Sequence, residues 1–326
     1  MMMCRLALKR LGLVALILFP FAFSGCATRA PAPPPPPLPS KANVTRPPLR
    51  EIAILYSNNS GYVEVSTQLK RLLPVETYRV TTVDVQGQQT SKQTLDTLRR
   101  KRSLFTVAIG LPAARFARDE LSGPVLFAEV FNYKELMVTN RSVRGVAATP
   151  PLALQVQDWK KLDPKVRRVG LIVSQSQTDL IPQAELAAKG AAMTIKSEIS
   201  GSDRETLYLF KRLAPQIDGL WLMPDERIIS PAVLRELLEY AVSHGVRVCV
   251  FSDALLDWGA FMSASPTAAD TARTLHRVLE TMMAGRTQAV PPITPTSELV
   301  VRINTQVAGR LGLSSPRTSW VVRGVR

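Results

Sequence analysis

The residues able to do chemistry are few and poorly clustered. Among 326 residues there are two histidines, His244 and His276, and three cysteines, Cys4, Cys26 and Cys249. The histidines fall in helical stretches without companion ligands, and the cysteines lack the spacing of a metal site. No nucleophile elbow G-x-S-x-G and no phosphate loop G-x-x-x-x-G-K-[ST] is present. "GLPAARF", beginning at Gly110, lacks the further glycines of a dinucleotide loop. Asp225 and Glu226 in "PDERI" are an adjacent acid pair at a predicted strand end, where open α/β sheets bind ligands. Adjacent acids in a loop are usually solvated, so catalysis by this pair is not expected. The pattern is that of a binder, with no catalysis, no cofactor and no metal expected.

The elements that would position these residues alternate. "EIAILYS" from Glu51 is a continuous apolar run, the mark of a buried parallel strand. A helix is expected over roughly Tyr62–Leu73. "YRVTTVDV", "LFTVAIG", "PVLFAEVF" and "RGVAA" read as further strands. Between the first two lies "SKQTLDTLRRK", capped by Ser91, and after the second "LPAARFARDEL", with Pro112 in its first turn. After "TPPLALQVQDWKKLDP" the rhythm restarts with "VRRVGLIVS". "DLIPQAELAAKGAA", "DRETLYLFKRLAPQ" and "SPAVLRELLEYAVSHG" are helices between the strands "MTIKSEIS", "IDGLWLMPD" and "VRVCVFSD". Ser230 caps the third helix, and Cys249 is a buried strand residue. "AADTARTLHRVLETMMAG" is a long helix ended by Gly285, and "ELVVRINTQVAGRLGL" closes with a strand and a helix. Strand–helix alternation of this length implies doubly wound parallel sheets, and the restart implies two lobes.

The N-terminal segment has another purpose. Arg5, Lys9 and Arg10 precede the uncharged run "LGLVALILFPFAFSG", too short for a comfortable membrane span of ~20 residues. Phe23-Ser24-Gly25-Cys26 resembles a bacterial lipobox, with Phe23 where leucine is preferred. Cleavage before Cys26 and its lipidation with a diacylglycerol, often joined by a palmitate chain, are expected. "PAPPPPPLP" from Pro31 then forms an extended polyproline spacer. Cys26 to Pro48 spans about 60–70 Å when fully stretched, at ~3.1 Å per residue. Residues 1–25 are therefore the signal peptide, and 26–49 the lipidated cysteine and tether.

Composition allows one large domain or two medium ones: 46% of residues are hydrophobic and 21% charged. Net charge is +15, falling to +12 once the three basic residues before Cys26 are removed. The basic residues are scattered. Their densest cluster, "RRKR" at Arg99–Arg102, has no interleaved aromatics, so nucleic acid is not an expected partner.

"IDGLWLMPDERIISPAVLRELLEYAVSHGVRVCVFSD", the segment from "GAFMSASPTAAD" to "VAGRLGL", "VAIGLPAA" and "KLDPKVRRVGLIVSQ" carry a resemblance. Over about residues 50–315 the chain resembles the ABC transporter substrate-binding proteins of the tryptophan/tyrosine-binding type, with the periplasmic-binding-protein type I fold. The resemblance implies an α/β protein of two doubly wound parallel-sheet lobes joined by three crossovers, at Ala147–Thr149, Asp253–Asp257 and Pro291–Thr294. Lobe 1 is then 50–148 plus 256–291, and lobe 2 is 149–255 plus 292–326. Ligand contacts are expected at strand ends: Tyr56, Ser57, Asn58, Gly110, Leu111, Glu129 and Phe131 on lobe 1; Ser174, Gln175, Asp225, Ser252 and Asp253 on lobe 2. Each could equally be a helix cap or turn residue.

Three departures stand out. Leu111 replaces a threonine, Pro224-Asp225-Glu226 replaces Thr-Asp-Asn, and "NRSVRG" replaces a longer glycine-rich approach to the first crossover. Either the ligand differs from the family's amino acids or small-molecule binding has been lost. The implied function is a lipid-anchored, periplasm-facing solute-binding protein that hands a small, amino-acid-like solute to an ABC permease. The alternative is an outer-membrane lipoprotein using the same fold as an interaction scaffold in an envelope complex. Ala27, directly after the lipidated cysteine, favours outer-membrane sorting.

Overall fold

Residues Ile52–Leu55 are completely buried, which a strand achieves only inside a sheet covered on both faces. They belong to β1 (Arg50–Tyr56), which pairs in parallel with β2 (Tyr78–Asp84) on one side and β3 (Phe105–Ile109) on the other. The computed structural model describes residues 48–326 except 58, 87–91, 102–104, 132, 135–142, 226, 314–317 and 324–326. The expected signal peptide, Cys26 and nearly all of the tether lie outside the described residues, as do Asn58, Ser91 and Glu226.

β4 (Val125–Ala128), β5 (Val143–Val146) and the short β11 (Ile293–Thr294) complete the first sheet. Its order is β11-β5-β4-β3-β1-β2, with every pair parallel. α1 (Ser60–Leu72) and α8 (Ala268–Met283) cover one face; α2 (Lys92–Arg100) and α3 (Leu111–Glu120) cover the other. The second sheet holds β6 (Arg168–Ser174), β7 (Thr194–Ser200), β8 (Gly219–Trp221), β9 (Arg247–Val250) and β10 (Met262–Pro266). It ends in β12 (Glu298–Ile303) and β13 (Ser319–Arg323), giving the order β13-β12-β10-β9-β8-β6-β7. α4 (Leu152–Leu162), α5 (Leu180–Gly190) and α9 (Thr305–Arg310) pack on one side of it, α6 (Asp203–Leu213) and α7 (Pro231–Ser243) on the other.

The fold is thus two doubly wound lobes joined by three crossovers, with one departure from all-parallel sheets. β12 runs antiparallel to β10, and β13 antiparallel to β12. The first five strands of each lobe share one order, second-first-third-fourth-fifth. That order puts a topological switch point between β1 and β3, and another between β6 and β8. Ligands of open α/β sheets bind outside strand C-terminal ends at such points.

Local signals explain many boundaries. The Ser230 hydroxyl accepts from the Val233 N–H at 3.3 Å, with Pro231 in the first turn of α7. Gly285, at φ +75°, ends α8 in the left-handed conformation that glycine adopts without strain. Cys249 is fully buried on β9, and burial pushes its thiol pKa up, so it is an inert packing residue.

Two crossovers lie downstream of their expected places. The segment 253–257 does not leave lobe 2. It forms a 3-10 turn closed by its own backbone bonds, Leu255 N–H to the Ser252 carbonyl at 3.2 Å and Ala260 N–H to the Leu255 carbonyl at 3.1 Å. β10 then pairs with β9, and the chain crosses only at Thr267. The third crossover is 295–297, because Ile293 and Thr294 still pair with β5. Residues 256–266 therefore belong to lobe 2, and 292–294 to lobe 1.

Candidate functional site

The lobe 1 wall begins at the switch point. Gly110, at φ +89°, ends β3 and starts α3. A Cβ there would lie 2.5 Å from the Tyr62 ring, so glycine is what lets Tyr62, in the first turn of α1, lie over this strand end. Glu129 follows β4 with φ 57°, a left-handed backbone that costs a non-glycine residue on the order of 1 kcal/mol or more. Burial pushes its carboxyl up to about 7, offset in part by the Thr271 hydroxyl on α8. Phe131 lies two residues further on.

The lobe 2 wall continues β8 through buried Leu222, Met223 and Pro224 to Asp225. The Asp225 carboxylate is buried and accepts the Arg227 N–H at 3.1 Å, while the Arg227 guanidinium lies 3.8 Å away. Phe251 follows β9. Trp258, past the 3-10 turn, carries the Arg235 guanidinium 4.9 Å from its ring centroid.

The walls meet. The rings of Phe131 and Phe251 pack edge to face across the cleft, centroids 5.3 Å apart. Lys134 donates to the Ser176 carbonyl at 2.8 Å and pairs with the Asp179 carboxylate, both on lobe 2. Two cavities share Phe131 and Pro224. The larger, about 530 Å³, is lined by Tyr62, Leu111, Glu129 and Phe131 from lobe 1, and by Asp225, Ile229, Leu234, Phe251 and Trp258 from lobe 2. The smaller, about 340 Å³, lies among Lys134, Ser176, Gln177, Asp179, Arg227 and the crossover residues Ala147–Pro151 and Pro295. Both fall within the ~300–1,000 Å³ typical of small-molecule sites. Among the described residues, no group of three or more His, Cys, Asp or Glu could hold a metal ion.

Of the residues expected at the site, Leu111, Glu129, Phe131 and Asp225 line the larger cavity. The others with described positions do not line either cavity. Tyr56 packs in the lobe 1 core, and Ser57 is buried with its carbonyl accepting from Asn59 N–H at 2.7 Å. Ser174 is buried, its hydroxyl 2.9 Å from that of Ser176, and Gln175 is exposed on a 3-10 turn. The Ser252 carbonyl closes the turn that Asp253 begins. Asp253 itself accepts from the Ser263 hydroxyl at 2.6 Å and pairs with Arg302, so its carboxylate is committed within lobe 2. Sequence reasoning missed Tyr62, Trp258, Lys134 and Arg227. The first helical turn next to a strand end was the available signal for Tyr62, and the loop behind Asp225 that for Arg227.

No protein-family model and no curated protein sequence matches the chain. Solved structures do. An ABC domain in complex with L-Trp from Streptococcus pneumonia superposes with TM-score 0.54 at 17% identity, covering 83% of this chain and 97% of that one. The ligand-free, open structure of a substrate binding protein with adhesive properties from Clostridium difficile gives TM-score 0.59 at 14% identity, covering 82% and 96%. A conserved domain protein from Vibrio cholerae gives 0.53 at 13%, covering 83% and 97%. The chain has the periplasmic-binding-protein type I fold. In this type I fold the cleft described above is the space between the two lobes, walled by the strand ends at both switch points.

Proposed function

We propose that this protein is a lipid-anchored solute-binding protein of the cell envelope, which takes a small organic solute into its inter-lobe cleft for ABC-type uptake. The observation that carries this reading is the 530 Å³ cavity built by both lobes at the C-terminal ends of their parallel strands. Its lining is mostly apolar and aromatic, with two carboxylates, the composition expected of a site that recognises an organic molecule by a few polar groups. A solute bound between the lobes stabilises the folded protein by mass action. A panel of amino acids, amines and nucleosides should therefore contain a compound that raises the melting temperature and gives a saturable calorimetric isotherm. A broad panel without a single shift overturns the reading.

The anchor rests on Phe23-Ser24-Gly25-Cys26 behind a charged and apolar leader. Mass spectrometry of the mature N-terminal peptide is expected to show Cys26 as the first residue, carrying at least a diacylglycerol. An unmodified peptide starting at Met1 would remove the anchor from the proposal. Ala27 and the long proline spacer favour the outer membrane, where the same fold would serve as an interaction scaffold instead of feeding a permease. Membrane fractionation separates the two placements.

A further inference from the structure

Among the described residues, the charges of the cleft pair off except for one. Lys134 is taken up by Asp179 and the Ser176 carbonyl. Arg227 lies 3.8 Å from Asp225 and donates to the Ser176 hydroxyl at 2.8 Å. Glu129 is different. Its environment is set by burial and by one neutral hydroxyl, Thr271, with no cation acting on it among the described residues.

Four aromatic side chains line the cavity together with this acid: Tyr62 and Phe131 from lobe 1, Phe251 and Trp258 from lobe 2. Aromatic faces are negative, and cations held over them are stabilised more when water is excluded. Trp258 already holds one guanidinium, that of Arg235. An anionic group finds less here. Of the three helix N-termini bordering the cavity, those of α3 and α7 each carry a proline in the first turn, Pro112 and Pro231, and so present fewer N–H donors, while α1 already gives its Gly61 N–H to the Asn59 side chain at 2.9 Å. The α7 terminus also spends a donor on the Ser230 hydroxyl.

We propose that the solute is an organic cation without a carboxylate, a primary amine or quaternary ammonium on an apolar body, its charge held by Glu129 among the aromatic rings. This rests on the solute-binding reading and names its substrate class. The cation would supply the charge partner that Glu129 lacks, and the apolar body would fill the space beside Leu111 and Leu234. A zwitterionic amino acid would bring the same ammonium, but also a carboxylate that must be desolvated against cations already engaged by Asp179 and Asp225.

Matched pairs test this. Calorimetry on the full-length protein compares tyramine with tyrosine and tryptamine with tryptophan, with choline as a quaternary probe. At least one of the cations is expected to bind ten-fold or more tightly than the amino acids, and Glu129→Gln is expected to weaken it at least ten-fold. If an amino acid binds as tightly as its amine, or if Glu129→Gln leaves amine affinity unchanged, the cation assignment falls while the solute-binding reading stands. If no compound in these pairs or in the wider panel binds, both fall.

Discussion

Replacing Glu129 with glutamine is expected to raise the melting temperature of the unliganded protein by several degrees at pH 8 and to leave it nearly unchanged at pH 4. The cause is linkage. The carboxyl has an ordinary value of 4.5 and is pushed up to about 7 in the folded protein by burial. The folded state therefore holds this proton more tightly than the unfolded chain does. Below about pH 4.5 both states are protonated, and the group leaves stability untouched. Between 4.5 and 7 the unfolded chain loses its proton first, so wild-type stability declines as pH rises. Above 7 the decline is complete. At 1.36 kcal/mol per pH unit it amounts to about 3 kcal/mol.

Glutamine keeps the shape but has no charge to bury. It also keeps the left-handed backbone, so strain does not differ between the two proteins. The nearest other acid of the cavity, Asp225, retains its contacts to Arg227 in both. Thermal denaturation of wild type and variant at pH 4, 6 and 8 without ligand is the measurement. Parallel curves with no pH-dependent gap would mean that Glu129 is solvated in solution. A stability gain on neutralising a partly buried acid is what a binding residue shows when its ligand is absent. A cationic solute reverses the order, since it compensates the carboxylate in the wild type and has nothing to pair with in the variant.

The sequence was most legible where one local signal decides the outcome. Four consecutive apolar residues in β1 demand a sheet covered on both faces, Ser230 with Pro231 sets the start of α7, and Gly285 stops α8. It was least legible where distant segments decide. "DALLDWG" was expected as a crossover on the family resemblance, yet its backbone closes on itself and the strand behind it joins β9. β13 has only "SWVVR" to announce it and exists through pairing with β12.

The same division runs through the site. Ligand contacts at strand ends were expected from the family resemblance, and of the residues it pointed to Leu111, Glu129, Phe131 and Asp225 line the larger cavity. Which strand-end residues turn away does not follow. Ser174 is drawn to Ser176, its neighbour two residues on, and Asp253 to Ser263 and to Arg302, partners that the fold brings near. Tyr62 reaches the cleft because Gly110, distant from it in sequence, leaves room for its ring.

Asp270→Ala is expected to cost about 3–5 kcal/mol of stability, although the residue touches no part of the cleft. Asp270 lies in the first turn of α8, directly after the second crossover, and is 3% exposed. Its carboxylate reaches the third crossover. It accepts the N–H of Ser297 at 2.6 Å, the N–H of Glu298 at 2.8 Å and the Ser297 hydroxyl at 2.9 Å. Thr267, which caps α8, extends the clasp to Glu298 at 3.3 Å, and Arg273 pairs with Glu298 at 2.9 Å. Two of the three strands of chain between the lobes are thus held together by one carboxylate.

Alanine removes the acceptor and leaves two N–H groups and a hydroxyl without it; each such loss costs roughly 1–3 kcal/mol where water cannot enter. At about 2–4 °C per kcal/mol, a fall of roughly ten degrees in melting temperature follows. Asparagine retains one acceptor oxygen and should fall between alanine and wild type. Thr267→Ala, which loses a helix cap, should cost only about 1 kcal/mol. Denaturant unfolding of the three variants ranks them directly. An Asp270→Ala protein as stable as the Thr267→Ala one would show that the crossovers are held by their backbones alone. The expected order would place the joint between the lobes in a side chain, and would make Asp270 the position from which the lobes' freedom to separate can be altered without changing any residue that lines the cleft.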